Sequence, residues 1–283
     1  MGATPYQLLD SGNETKLEQA GEFRLIRPCP QAVWPRRLPG AAWATVDAVY
    51  VRSASGGGQW EYQRPLPPAW RVLVHDQPWI IKPTGFGHLG IFPEQEENWR
   101  WLQRQCAAAG GKMHALNLFA YTGGSTMAVA HAGGRITHVD AARGVVSWAR
   151  DNAREQKLTD AAVQWLVEDA TKFCSREVRR GHRYAGIVLD PPTFGRGPTG
   201  EMWKIESDLP ALLGLCQQLL SQSGPAFLLL SCHTPGFSPL VLENLLAATL
   251  PAAGTLESGE MAIPERETGR RLPSGCFARW HRG

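Results

Sequence analysis

Residues 113–126, MHALNLFAYTGGST, decide how this chain folds. An apolar run with strand character, residues 115–119, ends abruptly in the turn AYTGG, and a helical segment of small residues follows from Ser125. A turn through glycine brings bare backbone N–H groups close to a ligand, because glycine has no Cβ to block the approach. In an open parallel sheet such a turn lies at the carboxyl edge, where ligands bind. Taken alone, the stretch is equally compatible with an ordinary strand-to-helix turn.

The composition is that of a globular protein. Of the 283 residues, 43% are apolar and 19% are charged, which suits one large domain or a core domain with a smaller appendage. The net charge of +3 does not establish a nucleic-acid partner, although it leaves room for a local basic face. The six cysteines are scattered, without a CxxC pair or a histidine cluster, which argues against a disulfide framework and a metal site and fits a reducing compartment. With no leader-like or membrane-length apolar segment in view, a cytoplasmic protein without a membrane partner is expected.

Residues 1–83 predict a small β-rich N-terminal domain. Their apolar positions form short runs that are interrupted by proline and glycine, as in short strands bounded by turns. Seven of the eleven tryptophans lie at or before position 101. Filling the core of a small β unit is their usual role, and stacking on unpaired bases is the alternative.

Residues 84–283 predict a larger α/β domain. A helix over 94–110 is followed by four strand-then-helix units, with strands at 115–121, 135–140, 161–169 and 184–190. A fifth strand at 226–231 precedes a helix at 239–250, and two late strands at 254–262 and 275–280 have no long helix between them. Apolar strands that alternate with amphipathic helices indicate a doubly wound parallel sheet with helices on both faces. The late pair indicates an antiparallel edge.

Three of these strands end in an aspartate. Asp140 follows the second strand, where an acidic residue can hold a pair of ribose hydroxyls. Asp169 ends the third strand and Asp190 ends the fourth. A single such residue is usually a helix cap, but three in successive units beside the glycine turn favour a nucleoside-like ligand. The turn lacks the G-x-G-x-x-G pattern of nicotinamide enzymes, which argues against hydride transfer.

The order FAYTGG, Asp140, Asp169 and Asp190-Pro191-Pro192 resembles class I S-adenosylmethionine-dependent methyltransferases. More narrowly, the chain resembles the bacterial group related to large-subunit rRNA cytosine-C5 methyltransferases, in the segments DSGNETKLEQAG, RPCPQAVW, FGHLGIFPEQ, LDPPTFGRGPTGEMW, SCHTPG and LPSGCFARW. This resemblance covers nearly the whole chain. It implies a Rossmann-like, seven-stranded methyltransferase sheet over residues 84–283 and S-adenosyl-L-methionine as cofactor.

The resemblance also implies which residues hold the cofactor. The glycine turn would cradle its methionine part, Asp140 would accept both ribose hydroxyls, and Asp169 would accept from the adenine amino group. Asp190 would lie where the methyl group meets the substrate, and Gln95 would close over the cofactor. The full implied set is Gln95, Phe119, Ala120, Tyr121, Thr122, Gly123, Asp140, Ala141, Asp169, Ala170, Asp190 and Pro191.

The methyl acceptor depends on Cys232, in the segment SCHTPG after the fifth strand. Carbon 5 of a pyrimidine is not nucleophilic until a group adds to carbon 6, and a cysteine thiolate is the usual catalyst for that addition. Related RNA enzymes carry their nucleophile at this strand end. The alternative is a small, half-buried cysteine without chemistry.

We therefore expect an S-adenosylmethionine-dependent methyltransferase that methylates cytosine C5 in RNA, with rRNA as the partner, Cys232 as nucleophile and Asp190 polarising the base. Alternatives are methylation of a base nitrogen or of a small molecule without a covalent intermediate, and a non-catalytic cofactor- or RNA-binding module. The sequence leaves the oligomeric state open.

Overall fold

The computed structural model of this chain describes residues 4–53, 57–111, 113–197, 200 and 202–283. Three residues of the segment LDPPTFGRGPTGEMW, namely Pro198, Thr199 and Glu201, lie outside these ranges. The chain forms two compact units. The first contains Met1–Glu94 and Ala262–Pro273, and the second contains Gln95–Met261 and Ser274–Gly283.

The first unit is rich in β structure, as the sequence predicts. Five strands form one sheet in the order β1-β2-β3-β4-β5, and β6 pairs separately with β7. A short helix that the sequence did not reveal, α1, precedes β4. The bounds are β1 (Tyr6–Gly12), β2 (Thr15–Ala20), β3 (Phe23–Pro28), α1 (Gly40–Ala44), β4 (Ala48–Arg52), β5 (Gly58–Tyr62), β6 (Trp70–Val74) and β7 (Gln77–Ile81).

Tight turns and a buried ion pair shape this unit. The hairpin between β6 and β7 turns through His75 and Asp76, whose φ values of 51° and 61° are those of a two-residue turn that matches strand twist. Inside the β1–β3 sheet, Arg27 Nε donates to Glu18 Oε2 at 2.6 Å. Burial works against the charge on Glu18, but Arg27 and Lys16 lower the pKa of this carboxyl to about 2. The sheet interior is therefore fixed by charge as well as by apolar packing.

The second unit alternates strands and helices. Its elements are α2 (Glu96–Ala108), β8 (His114–Leu118), α3 (Gly124–His131), β9 (Arg135–Asp140), α4 (Arg143–Glu155), β10 (Val163–Val167), α5 (Ala170–Arg179), β11 (Gly186–Leu189), β12 (Phe194–Arg196), β13 (Met202–Lys204), α6 (Ile205–Leu219), β14 (Ala226–Cys232), α7 (Pro239–Thr249), β15 (Thr255–Pro264) and β16 (Arg271–Arg282). The last two strands extend beyond this unit, because residues 262–273 belong to the first.

Seven strands form the central sheet in the order β10-β9-β8-β11-β14-β16-β15. Strand β11 runs parallel to both β8 and β14, whereas β16 is antiparallel to β14, with Cys276 opposite Cys232. The strand order reverses between β8 and β11, which opens a crevice at the carboxyl ends of these strands. The predicted α/β fold, with its seven strands and antiparallel edge, is confirmed.

The β11 and β14 strands are buried on both faces. Side chains that alternate along them enter two apolar clusters, so that Leu228 and Leu230 join one cluster and Phe227 and Leu229 join the other. This explains why AFLLLS is a continuous apolar run rather than an alternating one. All six cysteines are buried free thiols. None of the helices in the described ranges combines the length and apolar character needed to cross a membrane.

Candidate active site

The glycine turn between β8 and α3 has an unusual backbone. Phe119, Tyr121 and Gly123 have φ values of 54°, 49° and 97°. Left-handed conformations are costly for bulky residues, by about 1–3 kcal/mol each, and such strain is concentrated at functional sites. A Cβ on Gly123 would lie 2.6 Å from the Met127 side chain, and one on Gly124 would lie 2.5 Å from the Trp99 ring. Glycine at 124 is therefore explained by the Trp99 ring. Glycine at 123 is explained by its left-handed backbone, since the end of the Met127 side chain can move aside.

Asp140 ties this turn to the end of β9. Its Oδ2 accepts the Tyr121 backbone N–H at 2.9 Å, and its Oδ1 accepts the Ala142 N–H at 2.9 Å. Burial raises the pKa of Asp140 above its ordinary value, and the two N–H donors oppose that shift. Each carboxylate oxygen has a second lone pair, so a pair of hydroxyl donors can still be accommodated.

Three buried polar side chains form a hydrogen-bonded series next to the glycine turn. Asn117 Nδ2 donates to Thr126 Oγ1 at 2.9 Å, and the same oxygen lies 2.9 Å from His138 Nδ1. Since Thr126 accepts from Asn117, its hydroxyl proton is available for His138 Nδ1, which requires a neutral imidazole. Burial lowers the pKa of His138 to about 3, in agreement with a neutral ring.

Asp169 acts as the N-cap of α5. Its Oδ1 accepts the Lys172 backbone N–H at 2.9 Å. Ala170, which begins the helix, is buried, and Ala141 at the end of β9 is half-buried. Capping uses one carboxylate oxygen, so Asp169 Oδ2 is left as a candidate acceptor for a ligand amino group.

Asp190 follows β11, and its two oxygens have different surroundings. Oδ2 accepts from Gln95 Nε2 at 3.3 Å. Oδ1 is buried and has no hydrogen-bond partner among the described residues, although His233 Nε2 lies 3.7 Å away. A buried acceptor without a partner is costly, so Oδ1 is suited to receive a donor from a ligand.

The segment after Asp190 is fixed by its neighbours. Pro191 is buried, and the Trp203 indole donates to the Pro192 carbonyl at 2.7 Å. The Trp203 ring also packs on Phe119 of the glycine turn, with 4.9 Å between ring centroids. Thr193 and Thr234 join β11 and β14 beyond their ends through hydroxyls 2.8 Å apart. The two candidate ligand segments are thus held in one arrangement.

Gln95 lies deep in the unit. It is 5% exposed, and besides Asp190 its Nε2 donates to Ser231 Oγ at 3.0 Å. Asn98 and Arg279, which the sequence analysis did not single out, continue this contact into the interior. Gln95 and Asn98 are three residues apart at a helix start and face the same side, and Arg279 is a charge between the apolar residues of FARW. Those two signals could have indicated that these polar side chains are buried, but not which partners they meet.

Cys232 is the last residue of β14 and is 1% exposed. Burial raises the pKa of its thiol, while the Thr234 backbone N–H, 3.4 Å from Sγ, opposes that shift. The nearby Asp190 charge also acts to raise this pKa. The thiol is consequently protonated at neutral pH in this conformation. Its side chain belongs to an apolar cluster, together with Leu230 and Cys276.

The sequence-predicted residues all lie in the second unit, around the carboxyl ends of the central strands. Direct hydrogen bonds join Tyr121 to Asp140 and Gln95 to Asp190. Asp169 and Cys232 are instead bonded to their own local backbone, at Lys172 and Thr234. Within the described ranges, these hydrogen bonds link the predicted residues as two pairs.

Comparison with known proteins agrees with this geometry. A profile of the S-adenosylmethionine-dependent methyltransferases matches residues 59–257. The solved structure of a SAM-dependent methyltransferase from Agrobacterium tumefaciens is 37% identical, covers 99% of this chain and 91% of its own, and superposes with a TM-score of 0.92. A chain from Streptococcus mutans, 16% identical with a TM-score of 0.76, shares the fold. This chain belongs to the S-adenosylmethionine-dependent methyltransferase family.

The match to two curated relatives covers only part of the length of each relative. The ribosomal RNA large subunit methyltransferase K/L of Shewanella frigidimarina is 27% identical over 72% of this chain and 29% of the relative. The protein of the same name from Syntrophotalea carbinolica is 31% identical over 61% of this chain and 24% of the relative. The matched region is thus a minor part of each of these longer proteins.

The residues present fit the family's cofactor, S-adenosyl-L-methionine. Asp140, beside the glycine turn, retains acceptor capacity for two hydroxyls. When bound, the cofactor supplies a methyl group on a sulfonium, which a nucleophile takes by in-line displacement. Positioning of the two reactants is the main contribution that such a site can make. Among the described residues, no three His, Cys, Asp or Glu side chains converge as metal ligands.

Proposed function

We propose that this protein methylates a nucleobase of large-subunit ribosomal RNA. The observation that carries the proposal is Asp190 Oδ1 at the end of β11, a buried acceptor to which no group of the described residues donates a hydrogen bond and which has His233 Nε2 at 3.7 Å. The edges of nucleobases carry N–H groups, which could donate a hydrogen bond to this oxygen. The two curated relatives named above are ribosomal RNA methyltransferases, which supports RNA as the acceptor class. A ribosomal substrate would also place the protein in the cytoplasm.

A surface next to Asp190 supports RNA binding. The β12–β13 hairpin pairs Phe194 with Lys204 and Arg196 with Met202. Since residues directly opposite share a face, these four side chains point to one side, and all four are exposed. Phe194 is 50% exposed. Exposed aromatic rings stack on unpaired bases and basic side chains contact phosphates, which is the usual combination in single-strand recognition.

The cofactor contacts proposed for this chain follow the implied set. The turn from Phe119 to Gly123 would hold the methionine part, Asp140 the ribose and Asp169 the adenine amino group. Ala141 and Ala170 would flank the adenine ring. Pro191 would lie against the reacting methyl group beside Asp190.

For the acceptor atom we propose carbon 5 of cytosine, with Cys232 as nucleophile. The thiolate would add to carbon 6, carbon 5 would take the methyl group, and loss of the carbon 5 proton with departure of the sulfur would restore the base. Support comes from the strand-end position of Cys232 and from the Thr234 N–H, which favours the thiolate. Because the Cys232 thiol is buried, this route requires the side chains around the thiol to move when the base binds.

A second acceptor, a base nitrogen, is favoured by the burial of Cys232. A thiol that is 1% exposed and has a raised pKa is a poor nucleophile at rest. In this route Asp190 Oδ1 would accept an amino N–H and orient the nitrogen lone pair toward the methyl group. Cys232 would then only fill space in the apolar cluster.

Labelled cofactor and ribosomal subunits from a strain that lacks the enzyme provide the test. Label in large-subunit RNA, followed by identification of the modified nucleoside, would support the proposal and distinguish carbon 5 from nitrogen. Absence of label in RNA, with label in a small-molecule fraction of the same extract, would contradict it. Heat-inactivated protein is the control for adventitious transfer.

A further inference from the structure

A buried guanidinium lies behind the candidate site. Arg279, on β16, is 5% exposed, and its Nε and Nη2 both donate to Asn98 Oδ1, at 2.9 and 2.6 Å. Its charge also lies over the Phe277 ring, at 3.9 Å from the centroid. Its carboxylate partner, Glu257, is 3.4 Å away and 48% exposed. Burying a charge is costly unless its donors are satisfied, so this arrangement needs a reason.

Arginine fixes the orientation of the Asn98 amide. A guanidinium can only donate, so the Asn98 carbonyl oxygen must face Arg279 and the Nδ2 group must point away from it. Asn98 Nδ2 then donates to Gln95 Oε1 at 2.6 Å. With its oxygen occupied in this way, Gln95 presents Nε2 to Asp190 Oδ2 and Ser231 Oγ. Each amide in the chain therefore has a single orientation, and the orientation originates at Arg279.

We infer that Arg279, Asn98 and Gln95 form a positioning relay that fixes the orientation of the Asp190 carboxylate toward the substrate. The relay holds one oxygen, Oδ2, with a donor. The other, Oδ1, which has His233 Nε2 at 3.7 Å, is left to accept a hydrogen bond from the base edge. This inference rests on the proposed function, since it assigns Asp190 Oδ1 to the acceptor base. Arg279 and Asn98 act through Gln95 and Asp190. Gln95 is also the residue that the family resemblance implies closes over the cofactor, so KM for the cofactor is measured with every variant.

The alternative is that Arg279 and Asn98 only attach two elements of the fold to each other. Arg279 and Asn98 are 181 residues apart in sequence and join β16 to α2. If attachment of these elements were their only role, any partner that satisfied Arg279 would serve equally well. The relay instead requires the group at position 98 to accept on one side and donate on the other.

The variant Asn98→Asp separates these two roles. It keeps the shape of the side chain and gives Arg279 a carboxylate, but it has no donor for Gln95 Oε1. Gln95 is then expected to flip its amide toward residue 98 and to place its oxygen against Asp190 Oδ2. We expect kcat on rRNA to fall by about 10- to 100-fold, the scale of a small misplacement of a reacting group, with KM for the cofactor unchanged.

Glu257→Gln is the matched control. It removes the exposed charge partner of Arg279 and leaves both bonds from Arg279 to Asn98 in place. This variant should retain the kcat of the unmodified protein. If Asn98→Asp does not fold, Gln95→Met carries the test, because it deletes both bonds of the relay at similar side-chain volume and should lower kcat in the same way. Unchanged kcat in the folded variant would overturn the inference.

A measurement without RNA distinguishes failure of the relay from failure of the proposed function. In protein labelled with ¹⁵N-glutamine, the Gln95 side-chain signals are assigned by their loss in Gln95→Met. Asp190→Asn should displace these signals in the otherwise unmodified protein but leave them in place in the Asn98→Asp background. Equal displacement in both backgrounds would overturn the relay. Displacement as expected, in a protein that does not label rRNA, would contradict the proposed function alone.

Discussion

Tyr121 donates its backbone N–H to Asp140 Oδ2 at 2.9 Å while its own φ is +49°. The carboxylate at the end of one strand therefore holds the turn after the neighbouring strand in a left-handed conformation that a tyrosine rarely adopts. Asp140 thus shapes the backbone of the glycine turn, in addition to the ribose contact that we propose for it.

Asp140→Asn should weaken cofactor binding by about 10- to 100-fold, on the scale of one lost hydrogen bond to a charged group. An amide has one acceptor oxygen, so either the Tyr121 N–H or the Ala142 N–H must then face an NH₂ group. Titration calorimetry with S-adenosylhomocysteine measures the effect. Asp151→Asn, which alters a surface pair with Arg154 on α4, is the control and should bind normally. Equal affinity in the two variants would refute the role given to Asp140.

Cys232→Ala should abolish turnover on rRNA and leave cofactor affinity within about twofold, if the thiolate adds to carbon 6 as proposed. Because burial raises the pKa of this thiol, kcat of the unmodified protein should still be rising with pH at the ordinary thiol value. Single-turnover rates between pH 7 and 9.5 test both statements. Cys276→Ala, which removes the neighbouring thiol on β16, is the matched variant. Turnover that survives in Cys232→Ala would favour transfer to a nitrogen.

The exposed face of the β12–β13 hairpin should contribute to RNA affinity. Arg196→Gln and Lys204→Gln should each reduce the salt dependence of binding by about 0.7 in log–log slope, the value for one phosphate contact on a single strand. Phe194→Ala should weaken binding by roughly 5- to 100-fold, corresponding to about 1–3 kcal/mol for one stacked base. Filter binding to rRNA fragments at several salt concentrations measures both effects. Arg154→Gln removes an exposed arginine on α4 and should leave the slope unaltered; an equal loss there would indicate non-specific charge.

His138 should make the protein less stable in acid. Its folded-state pKa of about 3 is depressed from 6.5, so its contribution to stability is complete above pH 6.5 and is lost as the pH falls toward 3. Between pH 8 and pH 5 this amounts to about 2 kcal/mol in the free energy of unfolding. Urea unfolding at the two pH values should show a smaller difference in His138→Gln. His131→Gln, which removes an exposed histidine of α3, should keep the full difference.

Local patterns made the sheet and the turn predictable. Strands β8, β9 and β11 are apolar runs that end in the glycine turn or an aspartate, and turn chemistry of this kind is determined within a few residues. The β12 and β13 strands, Phe194–Arg196 and Met202–Lys204, are only three residues long and show no period, so the sequence did not reveal them.

Polar contacts between residues far apart in the chain could not be predicted from the sequence. Nothing near Gln95 indicates that its amide would meet Asp190, and nothing near Arg279 indicates that its partner is Asn98, because these contacts depend on tertiary packing. The roles of Cys232 and of the cofactor residues stay predictions. For Cys232, the strand-end position was predictable, but the depth of its burial depends on Cys276 and the apolar cluster around it.

The return of residues 262–273 to the first unit has a consequence for synthesis of the protein. A core cluster of that unit joins Leu8 to Ile263 and Leu272, and Arg270 pairs with the buried Asp10 at 2.8 Å. Domains usually fold in order as they leave the ribosome, at about 5–20 residues per second. Here β1 must wait on the order of 13 to 53 s after its synthesis for its last core residues, and its apolar side chains and Asp10 are exposed during that time. The strands before Glu94 thus leave the ribosome ahead of the second unit but complete their core after most of it, and during that interval they depend on protection from aggregation.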